Sequence, residues 1–289
     1  MNYYLHRILF KMGFFKKVNT KLNATINNKK FVIPVVNEAG YHNIMPSEPW
    51  FQALLKDLFA AKKGAMVDVG MNIGQTLIKT ASIDSERHYI GFEPNPLCYH
   101  VCKGLVNENK LANFNVFPSG LSDETGFLTL YIDKEYSSGA SVLKDFRKNM
   151  TRFNQQLNIP VFIGDEVEAI KNETQIAVIK ADVEGAELEV VKGLQKTINR
   201  THPCLVLEIL PVYNEKEENG QYRQKRQDEL LGIFKNNGYN FYLINESNCT
   251  LTNLTDIAVH GDMHRTNYLF IHKDDASIIG QFHHFSLVA

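Results

Sequence analysis

Two short segments carry residue types that can do chemistry together. They are Asp68-Val69-Gly70-Met71-Asn72-Ile73-Gly74 and, about twenty residues further on, Gly91-Phe92-Glu93-Pro94-Asn95-Pro96. In each, an apolar run ends on a carboxylate, and the first continues through a glycine-bearing turn into a helical pattern. A strand, a glycine turn, a helix and a second strand ending on an acid is the order that holds a nucleotide-type ligand at the edge of a parallel sheet. Gly70 and Gly74 can take backbone angles closed to other residues and let the chain pass close to a ligand. Glu93 is placed to accept hydrogen bonds from a ribose diol. The glycines alone serve equally well to shape a tight turn, and it is Glu93 at this spacing that favours the ligand.

Asp68 narrows the choice of ligand. A dinucleotide fingerprint needs G-x-G-x-x-G, whereas the spacing here is Asp68-x-Gly70-x-Asn72-x-Gly74, and a carboxylate before the turn repels a pyrophosphate. It suits a cation, and S-adenosylmethionine carries both an ammonium and a sulfonium. An oxidoreductase or epimerase using NAD also needs a Tyr-x-x-x-Lys base, and none accompanies this loop. A non-catalytic binding module that kept the fold is the remaining alternative.

A second constellation is Ile179-Lys180-Ala181-Asp182-Val183-Glu184-Gly185-Ala186-Glu187, and a third is Leu207-Glu208. Asp68, Glu93, Asp182 and Glu208 close strands one, two, four and five, so four acids share the rim where open α/β sheets bind ligands. Like charges gathered there cost energy unless a cation, a donor or a proton relieves them. Methyl transfer to a hydroxyl needs a group that orients the acceptor and takes its proton. Asp182 is the first candidate and Glu208 the second. Asp182 can also cap the following helix, and the pair can hold a divalent metal. No third hard ligand stands out, and no metal is expected.

Alternating elements position these acids. Trp50–Ala61, Gln75–Ser82, Pro96–Asn109, Ala186–Asn199 and Asp228–Asn236 read as helices. Ala65–Val69, His88–Glu93, Phe114–Pro118, Ile176–Ala181 and Cys204–Ile209 read as buried strands. Phe127–Ile132 reads as an antiparallel strand, and Phe241–Ile244 with Tyr268–Ile271 as a final pair. Such alternation implies an α/β fold with a doubly wound, mostly parallel sheet and an antiparallel pair at one edge. Three parts follow: an N-terminal extension over residues 1–50, a main domain over 51–273 and a tail over 274–289. In the extension, Tyr4, Leu5, Ile8, Leu9, Met12 and Phe15 fall on one helical face beside Arg7, Lys11 and Lys16. That pattern is compatible with an amphipathic helix on a membrane surface, or with a segment docked on its own domain or a second subunit. Asp133–Asn158, with Ser137-Ser138-Gly139, resists assignment and has the composition of a flap.

Composition sets bounds. The 289 residues, 44% hydrophobic and 22% charged, suit one large globular domain. A formal charge of -1 gives no basic excess, so no nucleic-acid partner is expected. Cys98, Cys102, Cys204 and Cys249 form no C-x-x-C pair, which argues against zinc and for reduced, packed thiols. No apolar run reaches membrane-spanning length, and the expected location is the cytoplasm, with peripheral membrane contact through the N-terminus left open.

Taken together, the segments around Asp68, Glu93-Pro94-Asn95-Pro96, Gly120-Leu121-Ser122, Ile179–Glu187 and Leu207-Glu208 resemble the FkbM family of S-adenosylmethionine-dependent methyltransferases over about residues 50 to 272. The resemblance implies a class I methyltransferase (Rossmann-like) fold with a seven-stranded sheet. It implies O-methylation, often of a sugar hydroxyl in a glycan or glycolipid or of a natural product, and leaves the acceptor and a homo-oligomer open. It also implies that Asp68, Gly70, Asn72, Gly74, Glu93, Asn95 and Ser122 bind the cofactor, with Asp165 near the site. Met71 departs from the usual alanine, and Ala181 from the usual isoleucine or leucine; neither removes a polar contact.

Overall fold

The computed structural model of the chain describes residues 8–45, 47–132, 141–142 and 155–288. The expected flap at Ser137–Gly139 and the helical positions Tyr4 and Leu5 lie outside these residues. In chain order the strands are β1 Asn19–Ile26, β2 Lys29–Val36, β3 Ala65–Val69, β4 Tyr89–Phe92, β5 Phe114–Phe117, β6 Gly120–Ser122 and β7 Gly126–Ile132. They continue with β8 Gln155–Ile163, β9 Ile176–Ala181, β10 Cys204–Glu208, β11 Tyr239–Asn245, β12 Thr250–Leu254, β13 Asn267–His272 and β14 Ser286–Val288. The helices are α1 Pro49–Ala61, α2 Gln75–Ile83, α3 Pro96–Glu108, α4 Glu168–Lys171, α5 Glu187–Gly193, α6 Gln195–Thr201 and α7 Glu218–Asn236.

The large sheet runs β14-β12-β11-β13-β10-β9-β3-β4-β5. Strands β5, β4, β3, β9 and β10 are parallel, and β13 enters antiparallel between β10 and β11. The chain leaves β3 towards β4 and β5 and then returns to β9 on the other side, so strand order reverses at β3. Ligand crevices form beyond the carboxyl ends at such a reversal. The expected pair is β11 and β13; β12 and β14 extend the sheet beyond it, a continuation the sequence reading did not foresee.

Both faces of the parallel strands are covered, which explains their near-continuous apolar runs. Val67, Val69, Ile90, Phe92 and Ile179 join the core under α5–α7, while Met66, Tyr89 and Val178 join that under α1–α3. Each fully buried aliphatic side chain of this kind contributes about 1.5–3 kcal/mol.

The N-terminal extension is mostly a hairpin. Asn27 and Asn28 both take positive φ, which a two-residue turn of matching twist requires, and β1 pairs with β2 from Asn19↔Val36 to Ile26↔Lys29. The hairpin docks on α3, where Asn109 Nδ2 donates to the Val32 carbonyl and Asn109 Oδ1 accepts from Val32 N, both at 2.8 Å. The amphipathic helix is correspondingly short: residues 8–11 are helical, and Gly13, at φ +70°, turns the chain into a 3₁₀ segment at Phe14–Lys17. Among the described residues no helix is long and apolar enough to cross a membrane.

The tail also docks. Asp57 of α1 accepts hydrogen bonds from the backbone N–H groups of His283, His284 and Phe285 and holds the His284 ring at 2.7 Å. The long helix expected over Ala186–Asn199 divides at Leu194 into α5 and α6.

Candidate active site

At the end of β3 the chain turns sharply under the constraint of its neighbours. Gly70 N and Met71 N both donate to the Phe92 carbonyl of β4, at 3.0 and 3.1 Å. Gly70 has φ +84°, and a Cβ there would lie 2.1 Å from the Asp182 carbonyl oxygen, so the position admits no side chain. Met71 lies over Gly91, where an added Cβ would meet its sulfur at 2.1 Å; the bare glycine makes room for this departure from the family pattern. Asn72 follows at φ +48°.

Glu93 ties this turn to the next one. Its carboxylate accepts from Asn72 N at 2.6 Å and from Asn95 N at 2.8 Å, and it is nearly buried. Burial pushes its carboxyl up to about 7, against the pull of the Asn95 and Asn72 N–H groups. Asn95 caps α3 by accepting from Leu97 N, with Pro96 at the first helical position.

Above these strand ends lies a cavity of about 620 Å³. One wall is Val69–Asn72 with Gln75 and Thr76, and another is Glu93–Asn95. The facing wall is apolar, formed by Leu121, Leu128, Leu130, Ile159 and Val161 of the three-stranded sheet β6-β8-β7. Lys180, Asp182, Val183 and Glu208 lie along the ends of β9 and β10. Among the described residues, eight carboxylates line the cavity (Glu48, Glu93, Asp123, Glu124, Asp182, Glu184, Glu189 and Glu208) against one cation, Lys180.

The expected site residues divide on this geometry. Gly70, Asn72, Glu93, Asn95, Ser122, Asp182 and Glu208 share the cavity. Three expected cofactor residues lie off its wall. Asp68 is fully buried, because strand alternation turns it to the same face as Met66, where Tyr89 OH donates to Oδ2 at 2.5 Å. Gly74, at φ +87°, starts α2 and packs against Leu105 and Cys102. Asp165 spends both oxygens on Lys196 N and Thr197 N, each at 2.8 Å, and so caps α6.

Lys180 is the residue that reading for acids and glycines passed over. Its signal was a lone lysine inside an apolar strand, and the register places it opposite Asp68. Its Nζ lies 3.2 Å from Asp182 Oδ2 and 3.8 Å from Asp68 Oδ1. Burial alone would lower the ammonium, but Asp182, then Asp68 and Glu48, hold it above its ordinary value. For Asp68 burial dominates and raises the carboxyl, opposed by Lys180 and Tyr89. Glu208 is pushed up to about 9, by burial first and then by Asp182, with which it shares a hydrogen bond. Two carboxyls so joined resist carrying both charges at once, which favours a proton on Glu208.

The loop between β9 and α5 is braced from within. Glu187 turns back to accept from Val183 N and Gly185 N, and burial pushes it up to about 8. Arg226 of α7 grips Glu189 with both terminal nitrogens and donates to the Gly185 carbonyl at 2.9 Å.

Among the described residues, two clusters bring three ligand-type atoms within 4.8 Å of one another. In the first, His202 and His272 stack at 3.7 Å with planes 17° apart beside Asp274; their in-plane lone pairs run side by side and do not converge on one ion. The second is Asp182, Glu184 and Glu208, where the Lys180 ammonium already supplies a cation.

The profile of the Methyltransferase FkbM domain matches residues 68–241, more than half of the chain. The chain belongs to the FkbM methyltransferase family. Methyltransferase sdnD of Sordaria araneosa is 24% identical over 156 residues, 45% of this chain and 60% of that protein. The crystal structure of methyltransferase FkbM from Methylobacillus flagellatus KT is 17% identical with a TM-score of 0.44, over 72% of this chain and 43% of that one. Aeropyrum pernix fibrillarin, solved with natively bound S-adenosyl-L-methionine, is 12% identical with a TM-score of 0.42, over 87% and 82% of the two chains. The FkbM-type chain thus spans under two thirds of the first two relatives.

Membership of the FkbM family brings S-adenosylmethionine as the methyl donor, as expected from the Asp68 turn. The residues present fit it. Glu93 offers a buried carboxylate at the end of β4 for a diol, Gly70 leaves the backbone bare, and the acidic lining suits a cation.

Proposed function

We propose that this protein is an O-methyltransferase that methylates a sugar hydroxyl of a glycan, a glycolipid or a natural product. The observation that carries this reading is the Asp182–Glu208 pair, two hydrogen-bonded carboxyls on the wall of the donor cavity with a lysine against only one of them. S-adenosylmethionine held here would supply an electrophilic methyl group to the acceptor oxygen, its sulfur leaving as the neutral thioether. Asp182, as carboxylate, accepts the hydroxyl proton and aligns the oxygen. Glu208, held by Thr266 Oγ1 at 3.3 Å, carries the shared proton and orients a second hydroxyl. Gly70, Asn72, Glu93, Asn95 and Ser122 hold the donor, while Asp68 supports the turn from below through Lys180. The apolar wall from β6, β7 and β8 excludes water from the transfer.

Support for a sugar acceptor comes from the rim itself. Clustered carboxylates accept from several neighbouring hydroxyls at once, and a sugar presents such hydroxyls on adjacent carbons. The test is incubation with labelled S-adenosylmethionine and fractionated envelope glycans and glycolipid precursors. Base-stable label in a sugar fraction is expected, and label only in protein or nucleic acid would sink the reading.

The same proposal places the enzyme in the cytoplasm, in contact with a membrane surface. In support, Ile8 and Met12 are 54% and 76% exposed beside the exposed Lys11 and Lys16. Sedimentation with anionic vesicles tests it, and no retention relative to neutral vesicles would remove the membrane contact.

A further inference from the structure

We propose that Lys180 is a positioning residue whose ammonium decides where the proton shared by Asp182 and Glu208 resides, keeping Asp182 ionised towards the acceptor and Glu208 protonated. The proposal rests on the reading of Asp182 as the base.

Strand β9 is otherwise apolar, with Ile176, Ala177, Val178, Ile179 and Ala181 all buried. A lysine here, 13% exposed, costs several kcal/mol of desolvation unless paired. It is paired twice, and unequally. Asp68 on β3 is a fixed counter-ion, sealed from solvent and held by Tyr89, so no acceptor reaches it. Asp182 is 39% exposed and lies on the cavity wall, closer to the ammonium than Asp68 does. Lys180 therefore joins a sealed carboxyl to one on the cavity wall.

Asp182 and Glu208 differ in their company. The ammonium lies 3.2 Å from Asp182, while Glu208 has the Thr266 hydroxyl at 3.3 Å. A cation stabilises the ionised form of the carboxyl nearest to it, so the shared proton goes to the other. Among the described residues the neighbouring charges do not reverse this order, and Arg226 of α7 is committed to Glu189. Glu48 ahead of α1, Glu93 beyond β4, and Glu184 and Glu187 after β9 are acids, and Lys79 of α2 is committed to Glu48 at 2.8 Å.

The consequence is a base ready at neutral pH in a cavity where burial pushes up Glu93 and Glu208. Without Lys180, Asp182 competes for the proton on equal terms and spends part of its time as an acid that accepts nothing.

The experiment is carboxyl ¹³C NMR of the full-length protein labelled at Asp and Glu side chains, with D182N and E208Q to assign the two signals. In the wild type, Glu208 is expected to be the signal that titrates in the alkaline range, above that of Asp182. K180M is expected to raise the Asp182 midpoint by about one pH unit or more, a tenfold gain in proton affinity, and K180R to leave it nearly in place. A folded K180M protein with an unmoved Asp182 midpoint overturns the proposal. Should K180M not fold with Asp68 uncompensated, D68N/K180M asks the same question without the buried anion. Calorimetry with S-adenosylhomocysteine separates the two readings. If the Asp182 signal moves while the wild type binds no S-adenosylhomocysteine, the methyltransferase reading falls and the proton placement stands. If methyl transfer is present, the acid limb of kcat/KM must move up with the Asp182 midpoint at unchanged donor KM, and a fixed limb overturns the role of Lys180.

Discussion

Asp68 and Lys180 occupy paired positions on β3 and β9, and the ammonium of one lies 3.8 Å from the carboxylate of the other beneath the cavity. Parallel strands in register present such pairs on one face, so a charge buried on the central strand is met by its neighbour. The carboxylate that looked aimed at the ligand thus meets a lysine instead, and Asp182 and Glu208 are the acids that line the cavity.

Replacing Asp182 by Asn removes the proton acceptor and keeps the shape. We expect kcat to fall by about 10²-fold or more, with S-adenosylhomocysteine affinity within about threefold of wild type. E208Q, which still donates a hydrogen bond, is expected to lose only about tenfold. Steady-state kinetics on each variant with calorimetry alongside checks both, and a D182N enzyme of near-normal kcat rules Asp182 out as the base.

Glu93 braces the turn and, on the proposed reading, also holds the donor. E93A leaves the Asn72 and Asn95 N–H groups without their acceptor, and loss of a charged hydrogen-bonding group corresponds to about 10- to 100-fold in affinity. Titration calorimetry with S-adenosylhomocysteine reads this directly. Affinity within about twofold of wild type would place the donor elsewhere in the cavity.

Stability should fall as the medium becomes alkaline. Glu93, Glu187 and Glu208 have carboxyls raised from 4.5 to about 7, about 8 and about 9, each by burial first. A raised carboxyl binds more protons folded than unfolded, so its contribution is complete below 4.5 and is lost as pH climbs through the folded value. His260 and His272, lowered from 6.5 by burial first, act in the opposite sense but only below that pH. Thermal unfolding from about pH 6.5 to about pH 9 is therefore expected to show a falling Tm, by about 5 °C or more. E187Q should flatten the slope, because glutamine still accepts from Val183 N and Gly185 N. A Tm that rises across this range contradicts the burial argument.

The tail depends on one carboxylate. Burial works to raise Asp57, yet His284 and the N–H groups of His283, His284 and Phe285 together hold it below its ordinary value. D57A removes the acceptor for all of them, at a cost of about 2–4 kcal/mol. Hydrogen exchange should accelerate at Phe285 and along β14, while the β3–β4 ladder stays protected. Unchanged exchange at β14 would mean that Phe285 packing holds the tail without the carboxylate.

The pattern of residues was enough for the alternation of β3–α2–β4–α3–β5 and for the acids at the strand ends, because both follow from local rules: apolar runs between glycine and proline breaks, and caps beside helix starts. The family followed from the same segments, since a turn such as Asp68–Gly74 and a loop such as Asp182–Glu187 have few alternative geometries. Register and distant pairing decided the rest. Whether a strand-end acid faces ligand or core depends on which neighbour it meets: Tyr89 and Lys180 turned Asp68 inward, and the start of α6 took Asp165. The apolar wall needs β6, β7 and β8 joined across dozens of residues, and the tail needs Asp57, more than two hundred residues away. No window of local sequence contains such partners, so only the folded chain could bring them to one place.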